Sequence, residues 1–346
     1  MKRKYIYVLT SIVVIVFLIM TLLKVSVKGM NNERNGFVRN PVSLSITKIG
    51  ERTFLQPVRD IAGVNGDSIF IVTAYPDKII ITNKDLGYER VVDLPITNDK
   101  KLTSNFTTRL RFPELNIFAS NLPAVIRYNL ATGRKITYPI SRAFSRSALI
   151  SPNTILIRGF NEHFTDEQLQ KIDLSTGTSI EEKGITDKTD GGGFVTDGML
   201  HFDELTNTVI YTHFYSNKIL YLDTNLNLLH TGASIDTFKT YTAKATGIPT
   251  SKGTFFTFTS PPKLLSWSSC VSKGRLFISS RLKADNDTPG RFKNNIIIDV
   301  YDVKTTAYAG SLYIPVLPGK HLVKCKALND MIFVIYENTV VSYLIQ

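Results

Sequence analysis

The sequence has only two cysteines among its 346 residues, Cys270 and Cys325. They lie far apart along the chain and no Cys-x-x-Cys pair occurs, so the sequence offers a poor zinc site. In an oxidising compartment the two thiols could form a disulfide. The alternative is two ordinary buried thiols, and we favour this second interpretation.

Signatures of catalysis are also missing. No Gly-x-Ser-x-Gly nucleophile elbow occurs, and the five histidines are dispersed along the chain. His201 and His213 come nearest to each other, on two arms of one hairpin, but pairing around its turn places His201 opposite Ile210. Both are therefore predicted to be structural. The glycine run 191–193 lacks the Lys-Ser/Thr of a phosphate-binding loop and is interpreted as a flexible lead-in to the fourth repeat unit.

These absences bear on function. Without convergent ligands or a cofactor motif, we predict no metal site and no cofactor. They leave enzymatic activity uncertain and favour a protein that is not an enzyme. The enzyme alternative is a metal-dependent lactonase-like or glycan-active hydrolase, which would need a metal or a pair of carboxylates at its centre.

Acidic residues are outnumbered, with 41 Lys and Arg against 29 Asp and Glu and a formal net charge of +12. Residues 1–36 contribute +5, and the other +7 is spread along the chain. Such a surplus favours anionic ligands and surfaces in general. No nucleic-acid-binding motif accompanies it, so nucleic acid is not predicted as a partner.

The amino terminus carries the one long apolar run. Residues 1–4 form a basic flank, residues 5–23 are uncharged and apolar, and residues 24–41 form a polar tether. Nineteen helical residues span roughly 28 Å, the thickness of a bilayer core. No alanine precedes Ala62, so an A-x-A cleavage site is missing and an uncleaved anchor is favoured over a cleaved signal peptide. We predict a single-pass protein of the cell membrane with its body exported, periplasmic or extracellular.

The rest of the sequence lacks long amphipathic helices and consists of short β-branched and aromatic runs. A unit of apolar strand, Asn or Asp, and tight turn occurs five times, followed by a copy that the chain end truncates: Ile79–Gly87, Val125–Gly133, Leu169–Gly177, Ile219–Asn227, Ile297–Lys304 and Thr339–Leu344. The first five copies start 46, 44, 50 and 78 residues apart. A period in the forties is typical of four-stranded propeller blades.

The repeats predict an all-β fold over residues 42–346, a six-bladed β-propeller with four-stranded antiparallel blades. The alternating segment Val42–Ile49 can supply the strand that the last blade lacks and so close the ring. The 78-residue step indicates an insertion at about 231–266, in blade five. A degenerate seventh blade there is the alternative, which its Gly and Pro content disfavours.

These copies resemble the bacterial six-bladed propellers of the TolB-like and NHL-like kind. Ile297–Val303 followed by Ser311–Pro315 is also similar to the last blades of poorly characterised, envelope-anchored bacterial propellers. The resemblance implies the fold and an exported location, and it implies no reaction. Trp-Asp repeats and kelch double-glycine repeats are absent from the sequence.

Two further features suggest where a ligand would bind. The longest loops, Gly159–Glu167, 231–266 and Lys283–Asn294, all fall on the face that carries the links between blades, and long loops on a rigid scaffold often bind partners. Equivalent blade positions converge around the axis, so arginines before the second strands of the first three blades could form a basic arc. The predicted ligand-binding residues are Arg59, Arg109 and Arg146, with Arg111 and Arg142 nearby.

The arginine fork suits carboxylate or phosphate groups. The sequence therefore predicts a binding module for an anionic small molecule or the acidic segment of a protein partner. The alternative is that each arginine pairs with a local acid, for which Asp60 and Glu114 are available. A purely structural scaffold is the third possibility.

Overall fold

The computed structural model describes residues 7, 10–22, 34–96, 102, 105–120, 122–163, 165–189, 191–251 and 253–346. Within it, residues 10–22 form the helix α1. No helix in this described part of the chain is both long and apolar enough to cross a bilayer. The basic flank 1–4, five positions of the predicted anchor 5–23 and residues 24–33 of the tether lie outside the described residues, so membrane anchoring stays a prediction.

Six four-stranded antiparallel sheets follow one another in the order expected of propeller blades. The strands of blades I and II, from the innermost outwards, are β2 (Val58–Asn65), β3 (Ser68–Thr73), β4 (Lys78–Asn83), β5 (Arg90–Asp93), β6 (Phe106–Arg111), β7 (Glu114–Ala119), β8 (Ala124–Asn129) and β9 (Lys135–Pro139). Those of blades III and IV are β10 (Phe144–Leu149), β11 (Thr154–Phe160), β12 (Glu167–Asp173), β13 (Ser179–Glu181), β14 (Gly198–Asp203), β15 (Thr208–His213), β16 (Lys218–Leu222) and β17 (Leu228–Ala233).

The last two blades close the ring. Blade V consists of β20 (Ser266–Ser272), β21 (Arg275–Ser280), β22 (Asn295–Asp302) and β23 (Tyr308–Pro315). Blade VI consists of β24 (Leu322–Leu328), β25 (Met331–Tyr336), β26 (Thr339–Ile345) and the closing strand β1 (Ile46–Thr53). The amino-terminal β1 pairs antiparallel with β26, from Ile46 opposite Ile345 to Thr53 opposite Thr339. The predicted closure is confirmed, four residues further along the chain than expected, and it covers the edge that β26 would otherwise expose.

The predicted repeat is the third strand of each blade with its following turn. The Asn or Asp at the strand end folds back onto the turn: Asn83 Oδ1 accepts from Gly87 N at 2.8 Å, and Asp223 Oδ1 accepts from Asn227 N at 2.8 Å. The left-handed residue of the turn is a leucine in these two copies, since Leu86 and Leu226 take φ of 61° and 65°. These Asx side chains supply the turn bonds, which allows a leucine there.

Each of the six interfaces between neighbouring blades holds its own apolar cluster. The interface between blades V and VI illustrates the pattern, since Cys325 and Ala327 of β24, the innermost strand of blade VI, are buried against blade V. Alternate residues of the same strand face the central channel. Both cysteines are buried and free in this structure.

The 78-residue step is an insertion, and the structure has six blades. It is narrower than predicted and lies between blades IV and V, because β17 continues to Ala233 and the link to β20 spans residues 234–265. The link carries a separate hairpin, β18 (Ala245–Thr250) and β19 (Gly253–Phe258), that joins no blade. Its Phe256 packs so closely on Gly192 (φ +58°) that a side chain there would overlap the ring at 2.5 Å. The glycine run 191–193 thus accommodates this hairpin.

Residues 34–41, the end of the predicted tether, fold onto blade V. Arg39 is 2% exposed and bonds Asp299 at 2.8 Å and Asp287 at 2.9 Å. Pro41 bridges Ser311 at the edge of the blade. A buried arginine with two carboxylate partners anchors a segment firmly, so residues 34–41, predicted as the end of the tether, pack with the propeller. The short helix α2 (Pro289–Asn294) lies in the loop between β21 and β22.

Candidate functional site: a cationic cluster in the central channel

The innermost strands of the six blades surround a channel with two cavities. The cavity at the carboxyl ends of these strands, here the short-turn cavity, has a volume of about 560 Å³. The cavity at their amino ends, here the long-loop cavity, has about 280 Å³ and lies on the side of the links between blades. The residues that line both form the waist of the channel: Arg109, Ser147, Leu200, His201 and Lys326.

Positive side chains dominate the long-loop cavity. Its described lining contains one acid, Asp60, and five cations: Arg59, Arg109, Arg146, Lys324 and Lys326. The lining therefore carries a surplus of four positive charges. Charge of one sign in a narrow cavity with protein walls is screened less than on an open surface, so it attracts anions strongly.

Asp60 is already occupied by protein partners. Its Oδ2 lies 3.1 Å from Lys324 Nζ and 3.2 Å from Arg109 Nη1, and its Oδ1 accepts from Ile61 N at 2.8 Å. Burial by itself would raise the pKa of Asp60. The positive charges of Lys324, Lys326 and Arg109 outweigh that effect and hold this pKa well below its usual range. Asp60 is therefore ionised at neutral pH and links blade I to its two neighbours, blades II and VI.

Two other cations of this cavity have no such acid. Arg59 is half-buried, lies over the Phe106 ring at 5.1 Å, and forms no ion pair with any described residue. The side chain of Lys326 makes neither an ion pair nor a hydrogen bond within the described part of the chain. Burial, followed by the charge of Arg109, lowers the pKa of Lys326 to about 8. These two side chains can bond an incoming anion without breaking an existing ion pair.

His201 forms part of the channel wall. The sequence-predicted pairing is confirmed, since His201 lies opposite Ile210. Its Nε2 shares a hydrogen bond of 2.7 Å with Ser269 Oγ. Burial, together with the charges of Lys326 and Arg109, lowers the pKa of His201 well below 6.5. It is therefore neutral at pH 7 and adds a polar group to the site without a charge.

The structure brings together three of the five predicted arginines. Arg59, Arg109 and Arg146 all line the long-loop cavity, on the innermost strands β2, β6 and β10. They do not occupy equivalent depths: Arg109 reaches the waist, whereas Arg59 is the second residue of its strand. Register shifts in β2 and β10 offset these strands relative to β6.

The other two predicted arginines lie apart from this cavity. Arg111 lines the short-turn cavity, 3.5 Å from the exposed Glu204. Arg142 lines neither cavity and pairs with Glu162 at 3.1 Å and with Glu181. The acid that the sequence suggested beside the arc, Glu114, accepts instead from Asn129 Nδ2 at 2.6 Å.

Arg146 also belongs to a second charged group, here the junction network, which joins blades III and IV. Asp197 lies 2.7 Å from Arg146 Nη2 and 3.4 Å from Arg158 Nη1. Arg158 is 1% exposed, pairs with Glu167 and donates to Gly193 O at 2.7 Å. Two arginines face two carboxylates, so this network is balanced and Arg146 is the least available cation of the cavity.

Lys324 and Lys326 are not among the ligand-binding residues predicted from the sequence. The sequence does carry a signal for these two lysines, the alternation Lys324-Cys325-Lys326-Ala327, which comes shortly before the apolar run of β25. In an innermost strand, such a pattern sends the apolar residues to the neighbouring blade and the lysines to the channel. The predicted arc covered only the first three blades and left out blade VI, which is the neighbour of blade I in the closed ring.

The enzyme alternative requires a metal or a pair of carboxylates at the centre of the channel. No three His, Cys, Asp or Glu side chains there gather as metal ligands. Asp60 is the single acid lining the described long-loop cavity. Two acids, Asp203 and Glu204, line the short-turn cavity. Asp203 is buried and accepts from Thr206 N at 3.0 Å and Gly274 N at 3.1 Å, whereas Glu204 is exposed and lies 3.5 Å from Arg111.

Comparison with known proteins supports the fold and leaves the family open. No protein-family model matches the sequence, and no curated protein matches it. A member of the DUF4221 family from Bacteroides vulgatus superposes with a TM-score of 0.54 at 13% identity, covering 91% of this chain and 99% of that one. A putative exported protein from Bacteroides fragilis gives 0.51 at 11%, covering 90% and 98%.

A virginiamycin B lyase from Staphylococcus aureus is also similar, with a TM-score of 0.51 at 10% identity, covering 87% of this chain and 99% of that one. At such identities the likeness establishes architecture alone. Together with the six sheets and the closing strand, it confirms the resemblance drawn from the repeats: this chain has the fold of the bacterial six-bladed β-propellers.

Proposed function

We propose that this protein is a binding module that holds a small anionic ligand, with a carboxylate or phosphate group, in the long-loop cavity of its channel. The observation that carries the proposal is the charge of that cavity, five cations and one acid, with the acid already bonded to Lys324 and Arg109. Cations held close together in a protein repel one another unless an anion compensates them. A bound ligand would provide that compensation.

The geometry favours a small molecule over an acidic protein segment. A cavity of about 280 Å³ that narrows to a waist accommodates a compact anion. Arg59 of blade I and Lys326 of the neighbouring blade VI can bond it without releasing a protein acid. The rigid strands that carry both residues keep the site preorganised, which limits the entropy lost on binding.

The cellular setting is part of this proposal. The apolar run 5–23 would anchor the chain in the cell membrane, with the propeller exported to the periplasmic or extracellular side. The similar Bacteroides fragilis structure is that of a putative exported protein, which is in line with such a location. A tethered module in that position would meet anionic metabolites or envelope fragments outside the cytoplasm.

Thermal unfolding of the full-length protein in detergent tests the binding function. The panel consists of phosphate, citrate and sugar acids, with uncharged sugars as matched neutral compounds. A ligand at a hundred times its dissociation constant stabilises the fold by about 2.7 kcal/mol, and we expect such a shift with one class of anion. Sodium chloride at equal ionic strength separates binding from general screening.

Two arginine variants sharpen the test. Arg59→Ala removes an unpaired cation of the cavity and should abolish most of the ligand-induced shift. Arg142→Ala removes the same side chain at a site outside both cavities and should leave the shift unchanged. The proposal fails if no anion stabilises the protein, or if both variants respond to the anion as the wild type does.

A further inference from the structure

Two lysines of strand β24 face the channel but differ in their surroundings. Lys324 Nζ lies 3.1 Å from the carboxylate of Asp60. Lys326, two residues further on, lines both cavities at the waist and has no bonded partner in the described part of the chain. The pair therefore provides a comparison of a lysine that is paired with a carboxylate and a lysine that is not.

The surroundings of Lys326 disfavour its charged form. Arg109 shares the waist with it, and Lys324 adds a second positive charge from the same strand. The neighbouring His201 is neutral, and Asp60 is bonded to the other two cations. With a pKa of about 8, about one Lys326 side chain in ten is an uncharged amine at pH 7. An uncharged amine in a cationic cavity is a nucleophile.

We propose that Lys326 forms a reversible imine with a small carbonyl compound that also carries an anionic group, such as a 2-oxo acid or an aldehyde acid. The inference rests on the proposed function, because the same cations would hold the anionic group while the carbonyl lies at the waist. It adds to that function a chemical class of ligand and a covalent step.

The step is balanced without any other reagent. The lone pair of Lys326 Nζ attacks the carbonyl carbon, a C–N bond forms, and the electrons of the C=O π bond move to oxygen. Transfer of a proton from nitrogen to that oxygen gives the carbinolamine. Loss of the hydroxyl with a second proton from nitrogen releases one water molecule and leaves a C=N bond. Addition of water reverses the sequence.

The test traps the imine on the full-length protein. Glyoxylate is the anionic probe and acetaldehyde the uncharged one, each with cyanoborohydride to reduce any imine to a stable secondary amine. Peptide mass spectrometry then gives the labelling rate of every lysine. We expect glyoxylate to label Lys326 at least tenfold faster than Lys324 or the exposed Lys304, with a rate that rises up to about pH 8.

Matched variants identify the reacting residue. Lys326→Arg keeps the charge, cannot form an imine and should abolish fast labelling, whereas Lys304→Arg should leave it unchanged. A melting temperature close to that of the wild type shows that the Lys326→Arg protein is folded. Even labelling across exposed lysines, or fast labelling that persists in Lys326→Arg, would overturn the inference.

The two proposals can fail separately. If anions stabilise the protein but glyoxylate does not label Lys326, the imine is wrong and anion binding stands. If acetaldehyde labels Lys326 as fast as glyoxylate does, the amine is reactive but the cations do not hold the anionic group. That second result would overturn the stated ligand class and count against the proposed function as well.

Discussion

The channel cluster and the junction network are built from the same residue types but differ in their charge balance. In the network, Arg146 and Arg158 face Glu167 and Asp197, and Arg158 also donates to backbone and hydroxyl oxygens. In the channel, a single bonded acid stands among five cations, of which Arg146 is shared with the network. The comparison teaches that a buried charge in this protein does not by itself mark a site. An uncompensated set of charges beside a cavity does.

The largest expected effect comes from breaking the balanced network. Arg158→Met leaves the buried Glu167 without its counter-charge, and we expect the free energy of unfolding to fall by about 3–5 kcal/mol. Arg59→Met removes an unpaired channel cation and should change it by less than about 1 kcal/mol. Urea denaturation at pH 7 measures both. Equal losses of stability in the two variants would contradict the difference in charge balance between the junction network and the channel cluster.

The second effect comes from removing the one acid of the long-loop cavity. Asp60→Asn keeps the shape of the side chain but leaves Arg109 and Lys324 without a counter-charge, so we expect a loss of about 2–3 kcal/mol. Phosphate should restore more of this stability in the variant than it adds to the wild type. Asp93→Asn, at an exposed ion pair with Lys78, is the control and should change little. An Asp60→Asn variant as stable as the wild type would show that the cations do not strain the fold.

Acid should expose a third difference, through His201. Its folded-state pKa is depressed, so below pH 6.5 the unfolded chain binds a proton that the folded protein excludes. Stability is therefore lost as pH falls, by about 2 kcal/mol for this histidine between pH 7 and pH 5. His213, with a pKa lowered by burial to about 4, adds a similar loss outside the channel.

Chemical denaturation across this pH range measures that loss. His201→Gln should remove roughly half of the pH-dependent loss that the two buried histidines cause. The exposed His230→Gln serves as the matched control and should leave the dependence unchanged. If His201→Gln follows the wild-type curve, the channel does not exclude the proton.

The smallest effect has the opposite sign. Lys326→Met removes an unpaired cation and should stabilise the fold by about 1 kcal/mol at pH 7. The folded-state pKa of Lys326 is lowered to about 8 from 10.5, so its charge penalises the fold below pH 8, and the penalty fades as pH rises towards 10.5. The advantage of the variant should fade over the same window, whereas Lys304→Met should show no such trend. Destabilisation at pH 7 would mean that an unseen anion or partner satisfies this lysine.

Much of the fold could be predicted because a propeller repeats one local unit. The third-strand repeats, the closing strand and the six-blade count follow from alternation and turn chemistry, which depend on neighbouring residues. The limits of the insertion could not be predicted in this way. Residues 231–233, predicted as the start of the insertion, belong to strand β17. The packing of residues 34–41 on blade V depends on the contacts of Arg39 with Asp287 and Asp299, which lie 248 and 260 positions further along the chain.

The candidate site was predictable only in part, for the same reason. The sequence by itself determined that Arg59, Arg109 and Arg146 lie on innermost strands and that their blades converge. Only the tertiary structure decided that Arg146 is neutralised by Asp197 of the next blade, that Arg111 and Arg142 lie outside the long-loop cavity, and that Lys324 and Lys326 complete the cluster. Apart from the closing strand β1, strand order within a blade depends on contacts within about fifty residues. The charge of the channel, in contrast, is a sum over six blades that meet only when the ring closes.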